Sequence, residues 1–389
     1  MTDTVMEEII ASFEDQVSLI KTFSLLVKGT DISERSVKAL ANFCFPFMPN
    51  LESLTLNLDK LEVSDEAFCF MCRSFELFAR NLKFFKINLD VAGLTDMGIS
   101  TLAEFGLALM VNLESLELNF NYNNNIKQGL VKLFTQIQNC AQKLQALVLS
   151  LPGVTLLPEA IELLATGVFP NLKSLARLQL GIYETNITDS EFELLFSGLK
   201  GGVLENLSSF VFALYEDGIT GQAFDVLSKD IIPQLKSVKT FKCYICNNQN
   251  ITDENLRRFS GGLQEVGSKI VELMFRFEGT EISNEGVKEF ASKTLGEMKS
   301  LKDADASFGF NARVNDEGIV NLFDGLEGIV ERLSSLQLSL QSTGLTDVGI
   351  ESFKEKMSES VGHLEKFSFN IADNKVSEEN RNFIEKIAH

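Results

Sequence analysis

The chain is expected to fold as an α/β solenoid in which a short strand and a helix recur about twelve times. Three observations predict this. A nine-residue segment is written nearly twice, LTDMGISTL from Leu94 to Leu102 and LTDVGIESF from Leu345 to Phe353, 251 residues apart. Weaker copies fall between them at even steps. Each copy follows an apolar alternation and precedes an apolar spacing of three and four.

In chain order, the first element is a capping helix within residues 1–15. TVMEEIIASF places Val5, Ile9, Ile10 and Phe13 on one helical face with Glu7 and Glu8 opposite, which suits it to cover the open end of the first repeat. Residues 16–389 then hold the repeats. An Ile, Leu or Val before a Ser/Thr/Asn-type residue marks each one. The marks are Ile32, Val63, Leu94, Ile126, Leu156, Ile187, Ile219, Ile251, Ile282, Val314, Leu345 and Val376, at steps of 30 to 32 residues.

Within a repeat the strand comes first. Its anchors read Leu51, Leu54, Leu56, Leu58, then Leu82, Phe85, Ile87, Leu89, and so on, with first anchors 31 or 32 residues apart. The last three of each set alternate with period two, the pattern of a half-buried strand. The helix follows the mark. In VSDEAFCFMCRSFELF the residues Phe68, Met71, Cys72, Phe75 and Phe78 share one helical face. Ser or Thr followed by Asp supplies the N-cap, and Thr188 with Glu191 makes a capping box. The last repeat helix, SEENRNFIEKIAH, has a polar outer side and acts as the C-terminal cap. No Pro- or Ser-rich linker breaks the phase, so a single domain over residues 1–389 is expected.

A strand and a helix that each hide one face cannot bury themselves alone, whereas stacked copies cover one another. Strands stack about 4.8 Å apart and helices about 9–10 Å apart, so such an array should curve with its parallel sheet inside and its helices outside.

The L-x-x-L-x-L-x-L pattern over about residues 16 to 389 resembles the leucine-rich-repeat proteins. It is most similar to the ribonuclease-inhibitor-like subgroup, with a strand and a helix per repeat. The resemblance implies a horseshoe that binds a protein or peptide on its concave strand face. These repeats run a few residues longer than that subgroup's usual one. The position of its Asn/Cys ladder reads irregularly, as Asp59, Asp90, Asn121, Pro152, Tyr183 and Tyr215. The phrases LTLNL, VNDEG and ISNEG also resemble large families of long repeats in ciliated protists.

Composition bounds the function. With 45% hydrophobic residues the chain can build a large core, and its net charge of −19 leaves no basic stripe with which to displace counterions from phosphate. Nucleic acid is therefore not an expected partner. The start, MTDTVMEEII, lacks a signal-peptide pattern, and no apolar run approaches the roughly 18 residues of a membrane span. Membrane insertion is not expected. Six cysteines without a signal read as reduced thiols, so a cytoplasmic location is expected, with cytoskeletal or ciliary association as the protist likeness implies.

Catalytic motifs are weak. Cys69-x-x-Cys72 and Cys243-x-x-Cys246 have redox or zinc spacing. However, Cys72 occupies an apolar helix position, Cys243 replaces a strand leucine, and Cys246 falls on the other strand face. Gly262–Lys269, GLQEVGSK, bridges a helix to a strand, the reverse of a phosphate loop. The only histidines are His363 and His389, too few for a nucleophile system. The sequons at Asn186 and Asn250 coincide with the mark of the repeat. No catalytic residue, metal or cofactor is therefore assigned.

The outward strand positions remain. One row reads Ser24, Thr55, Lys86, Glu117, Val148, Gln179, Val211, Lys242, Met274, Asp305, Gln337, Ser368. The next reads Leu26, Asn57, Asn88, Asn119, Ser150, Gly181, Ala213, Tyr244, Arg276, Ser307, Ser339, Asn370. Three of the chain's four tyrosines, Tyr183, Tyr215 and Tyr244, fall on or beside this face in consecutive repeats, with Lys242, Met274 and Arg276 adjoining. Exposed Tyr, Met and Arg are residue types enriched in binding hot spots, so these six are the candidate partner-binding residues. Asn57, Asn88 and Asn119 form a second ladder, read as a solvated strip. The expected function is a non-enzymatic interaction scaffold. The alternatives are a regulator of an enzyme, such as a GTPase-activating protein of the Ran type, or a structural component of a cytoskeletal or ciliary assembly.

Overall fold

Period-two alternation becomes strand wherever the apolar anchors are spaced to enter one core. In the computed structural model, which describes residues 2–12, 14–27, 30–215 and 218–388, the chain divides into two compact units. The first comprises residues 1–186 and 194–203, the second 187–193 and 204–389. Phe13 and His389 lie outside the described residues.

The first unit carries β1 (Thr22–Leu26), β2 (Ser53–Asn57), β3 (Phe84–Asn88), β4 (Ser115–Asn119), β5 (Ala146–Ser150) and β6 (Arg177–Gly181). The second carries β7 (Ser209–Tyr215), β8 (Thr240–Cys246), β9 (Glu272–Arg276), β10 (Asp303–Ser307), β11 (Ser335–Ser339) and β12 (Lys366–Asn370). Within each unit every strand pairs in parallel with its sequence neighbour, in register at the repeat length: Leu54 lies beside Phe85, and Phe241 beside Leu273. Parallel pairing needs a crossover between strands, and the helical segments between successive strands supply it. No helix among the described residues is long and apolar enough to cross a membrane.

The anchors make the core. Leu54, Leu56, Leu58, Phe85, Ile87 and Leu89 are fully buried, and phenylalanines knit neighbouring repeats, as where Phe275 stacks on Phe290 with ring centroids 4.6 Å apart. β10 has Ala304 and Ala306 where other strands have large anchors. Beside them Phe275, Phe277 and Phe308 are buried, restoring apolar volume that a packed interior requires.

The repeated LTD segment has a second role beyond plug and cap. Thr346 caps its own helix, accepting from Val348 N, and also donates its N–H (2.8 Å) and Oγ1 (2.6 Å) to Asp316 of the preceding repeat. Asp65 receives Thr95 in the same way, Asp253 receives Ser283, and Asp347 receives Ser377. The Asp is thus an inter-repeat staple set at a helix N-terminus, where negative charge is favoured. It also explains the glycine of LTDVG. Gly349 N donates to Asp316 Oδ1 at 3.1 Å, and a Cβ at Gly349 would lie 2.7 Å from that oxygen.

The same staple corrects the reading of the first helix, Asp3–Ala11. Val5 and Ile9 are exposed, and Met6 and Ile10 are the buried pair. Asp3 accepts from Ser33 and Ser36, and Glu7 from Arg35. Asp3, Met6, Glu7 and Ile10 share one helical face, so these polar contacts set the rotation of the helix.

The asparagine ladder is also displaced from its expected place, two residues downstream. Asn123, Asn248, Asn311 and Asn374 are the buried members. Asn311 Nδ2 donates to Phe277 O (2.7 Å) and Phe308 O (3.0 Å), and its Oδ1 accepts from Thr280 N (2.6 Å). Between strand and ladder stands a left-handed residue, with φ of 54° at Val91 and 58° at Phe310. It turns the chain so that the residue immediately after it, not the one before, points inward.

Candidate interaction surface

The two outward rows predicted from sequence are rungs of the sheet. In the second unit Val211, Lys242, Met274, Asp305, Gln337 and Ser368 are paired across adjacent strands, as are Ala213, Tyr244, Arg276, Ser307, Ser339 and Asn370. Alternate strand residues point the same way, so both rows share one face. A third row, one step upstream, belongs to it too: Ser209, Thr240, Glu272, Asp303, Ser335 and Lys366. Extending the period-two alternation by one step would have found it.

That third row changes the electrostatics. Lys242 pairs with Glu272. Arg276 reaches Asp305 at 2.9 Å and Glu278 at 3.7 Å, while its Nε lies buried without a hydrogen-bond partner. Both cations are therefore engaged within the face. Asp303 has its carboxyl pushed up by burial and by the nearby Glu272 and Glu365 carboxylates. Burial also pushes up the Tyr244 phenol, with Lys242 and Arg276 acting against the shift.

The six candidate residues are all partly accessible. Tyr244 and Arg276 face each other across β8 and β9, and Met274 sits beside Lys242 on the neighbouring rung. Tyr215 ends β7 opposite Cys246, and their side chains hydrogen-bond. Cys246, expected on the accessible face, is consequently buried. Tyr183 belongs to the first unit, where burial raises its phenol.

In the first unit the same face holds a three-member ion network. Glu117 is almost buried and lies between Lys86 (2.9 Å) and Arg177 (3.2 Å). Asn57 and Asn88 do more than line a wet strip. Each accepts from the backbone N–H two residues on, Asp59 at 3.1 Å and Asp90 at 2.9 Å, and so closes the turn leaving its strand.

Other motifs resolve structurally. All six cysteines are buried and unpaired with one another, and burial pushes the thiols of Cys44, Cys140 and Cys246 up to about 12. Asn186 bonds both the N–H and the carbonyl of Leu156. Gly262 lies inside a helix and Gly267–Lys269 leads into β9. Among the described residues, no group of three or more His, Cys, Asp or Glu side chains could hold a metal ion.

No protein-family model matches the chain, and no curated protein matches it. Solved structures do. A chain of the yeast Rad7–Elc1 complex aligns over 97% of this chain and 90% of its own length, with a TM-score of 0.54 and 15% identity. A chain of the TLR13–ssRNA13 complex aligns over 92% of this chain and 40% of its own (TM-score 0.41, 16% identity), and one of the mouse RP105/MD-1 complex over 92% and 51% (TM-score 0.42, 13% identity). The Rad7–Elc1 alignment, together with the strand, helix and asparagine-ladder geometry, identifies the fold: the chain is built as a leucine-rich-repeat solenoid.

Proposed function

We propose that the chain is a non-enzymatic interaction scaffold, a single leucine-rich-repeat domain that holds a protein or peptide on its strand face. The observation that carries this reading is the second-unit patch. Tyr215, Tyr244 and Met274 stand half-buried on a hydrogen-bonded sheet, framed by Lys242–Glu272 and Arg276–Asp305 ion pairs. Aromatic rings held by a rigid sheet contribute large apolar area at low entropic cost, and pre-formed ion pairs hold the surrounding polar groups in place before a partner arrives. The full-length structural likeness to a chain of a protein–protein complex, Rad7 with Elc1, supports an interaction role by analogy of fold.

The test uses a partner recovered by affinity capture. Tyr244→Ala combined with Met274→Ala should weaken binding by roughly thirtyfold or more, the effect of losing about 2 kcal/mol of hot-spot contact. Asn370→Ala, on the outer strand of the same face, should change binding little. Arg276→Ala is a poor probe, because it would leave the nearly buried Asp305 carboxylate unpaired and unsettle the sheet. Wild-type affinity in the Tyr244/Met274 double variant would move the contact off this face.

A further inference from the structure

The first unit carries a second surface, on the edge where the chain enters each strand. A groove of about 790 Å³ runs there between Leu19 and Ser174. One repeat position builds its floor. Lys21, Glu52, Lys83, Glu114 and Gln145 each immediately precede a strand, and each backbone N–H from Glu52 onward donates to the carbonyl of the one before, at 2.7–2.8 Å. Asparagines line the adjoining row. Asn50, Asn81 and Asn112 donate to the carbonyls of Ser18, Pro49 and Arg80 at 2.7–2.9 Å.

Charge alternates along the floor, but the wall is basic. Glu52 accepts from both Lys21 (2.9 Å) and Lys83 (2.7 Å), which neutralises part of the row. Arg80 and Lys143 are added without a matching carboxylate. Among the described residues Arg80, which is exposed, makes no ion pair, and the Lys143 ammonium bonds the neutral Asn112 Oδ1, at 2.6 Å, and no carboxylate. Four basic and two acidic residues line the groove, a balance of +2, whereas the unit has 15 basic and 21 acidic residues, a balance of −6. Charges beyond about 8 Å are screened at physiological ionic strength, so a ligand in the groove experiences its basic wall more than the acidic remainder.

We propose that this groove binds an extended acidic segment of a protein partner. Its cations recur at alternate repeats: Lys21 before β1, Arg80 and Lys83 before β3, and Lys143 before β5. With strands about 4.8 Å apart, cations at alternate repeats are spaced about 10 Å, and three residues of extended chain also span about 10 Å. Carboxylates at every third position of a strand-like peptide therefore meet a cation each time. The side-chain amides of Gln142 and Gln145 in the lining can pair with the peptide backbone between them. The lining contains no aromatic ring on which a nucleobase could stack, and the length of the groove exceeds what a single small anion fills.

The full chain tests this with a fluorescein-labelled seven-residue peptide bearing Glu at positions 1, 4 and 7 and Gly or Ser elsewhere. Anisotropy should show saturable binding that weakens several-fold between 50 and 300 mM salt (roughly a fall in screening length from 14 to 6 Å). A peptide with Lys in place of Glu should not bind. Arg80→Glu with Lys143→Glu should weaken the Glu peptide at least tenfold with an unchanged circular dichroism spectrum, since both side chains are exposed. Lys127→Glu with Lys132→Glu, the same charge change on exposed positions of the helix Lys127–Ile137, should leave binding intact. Three results would overturn the proposal: equal binding of the Glu and Lys peptides, equal weakening by both double variants, or tighter binding by a single-stranded oligonucleotide that displaces the peptide.

Discussion

Replacing Asn311 with alanine removes a side chain that is fully buried and bonds to two repeats at once. Its Oδ1 accepts from Thr280 N at 2.6 Å and from Thr280 Oγ1 at 3.1 Å, and its Nδ2 donates to Phe277 O and Phe308 O. In the variant Phe277 O keeps its bond from Thr280 Oγ1 (3.2 Å), but Thr280 N–H and Phe308 C=O are left unsatisfied. Each buried orphan costs about 1–3 kcal/mol, so a loss of about 3 kcal/mol is expected. Urea unfolding followed by circular dichroism measures the global part. Because repeat proteins open locally, hydrogen exchange over residues 277–283 measures the rest, and the Thr280 amide should exchange roughly a hundredfold faster. Asn57→Ala, which loses one part-buried turn bond from Asp59 N, should cost no more than about 1 kcal/mol. A change below about 1 kcal/mol for Asn311→Ala, with Thr280 exchange unaltered, would refute the assignment of Asn311 as an inter-repeat bond carrier.

Further outcomes follow from the same geometry. Gly349→Ala would set a Cβ 2.6 Å from Leu345 Cδ1 and 2.7 Å from Asp316 Oδ1, and should cost about 1–3 kcal/mol in the urea midpoint. Val91→Gly should instead stabilise by roughly 0.5–1 kcal/mol, because a β-branched residue at φ 54° is strained and glycine is not. Glu52 is held at about 2 by hydrogen bonds from Lys83 and Lys21, and Glu254 at about 2 by those from Arg257 and Arg258. Both pKa values are depressed on folding, so their contribution is present above about 4.5 and is lost as pH falls toward 2. The urea midpoint should fall across that window, and less steeply in high salt because both groups are exposed. The thiols of Cys44, Cys140 and Cys246 are raised from 9.0 to about 12. Their contribution is full below pH 9 and lost as pH rises toward 12, and native protein should react with a thiol reagent only after addition of urea.

The sequence by itself determined the repeat, its length, the strand and helix of each repeat and two of the three outward rows. All of these are local periodicities. Leu54, Leu56 and Leu58 alternate because a strand has two faces, and Phe68, Met71, Cys72 and Phe75 recur because a helix has 3.6 residues per turn. Capping was equally legible, since Thr188 and Glu191 complete their box within four residues, at 3.0 and 3.4 Å.

Only the tertiary structure decided what crosses from one repeat to the next. Asp316 finds Thr346 thirty residues on, and Asn311 finds Thr280 thirty-one residues back. Neither partner shows in a window of local sequence. The asparagine ladder moved two positions because a left-handed turn residue, invisible to hydrophobic pattern, re-aims the chain. The first helix turned Val5 and Ile9 to solvent because Asp3 and Glu7 were claimed by Ser33 and Arg35. On the strand face, sequence named Lys242 and Arg276 as available cations, while their engagement by Glu272 and Asp305 depended on register between strands. Charges about 5 Å apart across a sheet are about 30 residues apart along the chain, and pairing is set by the shorter distance.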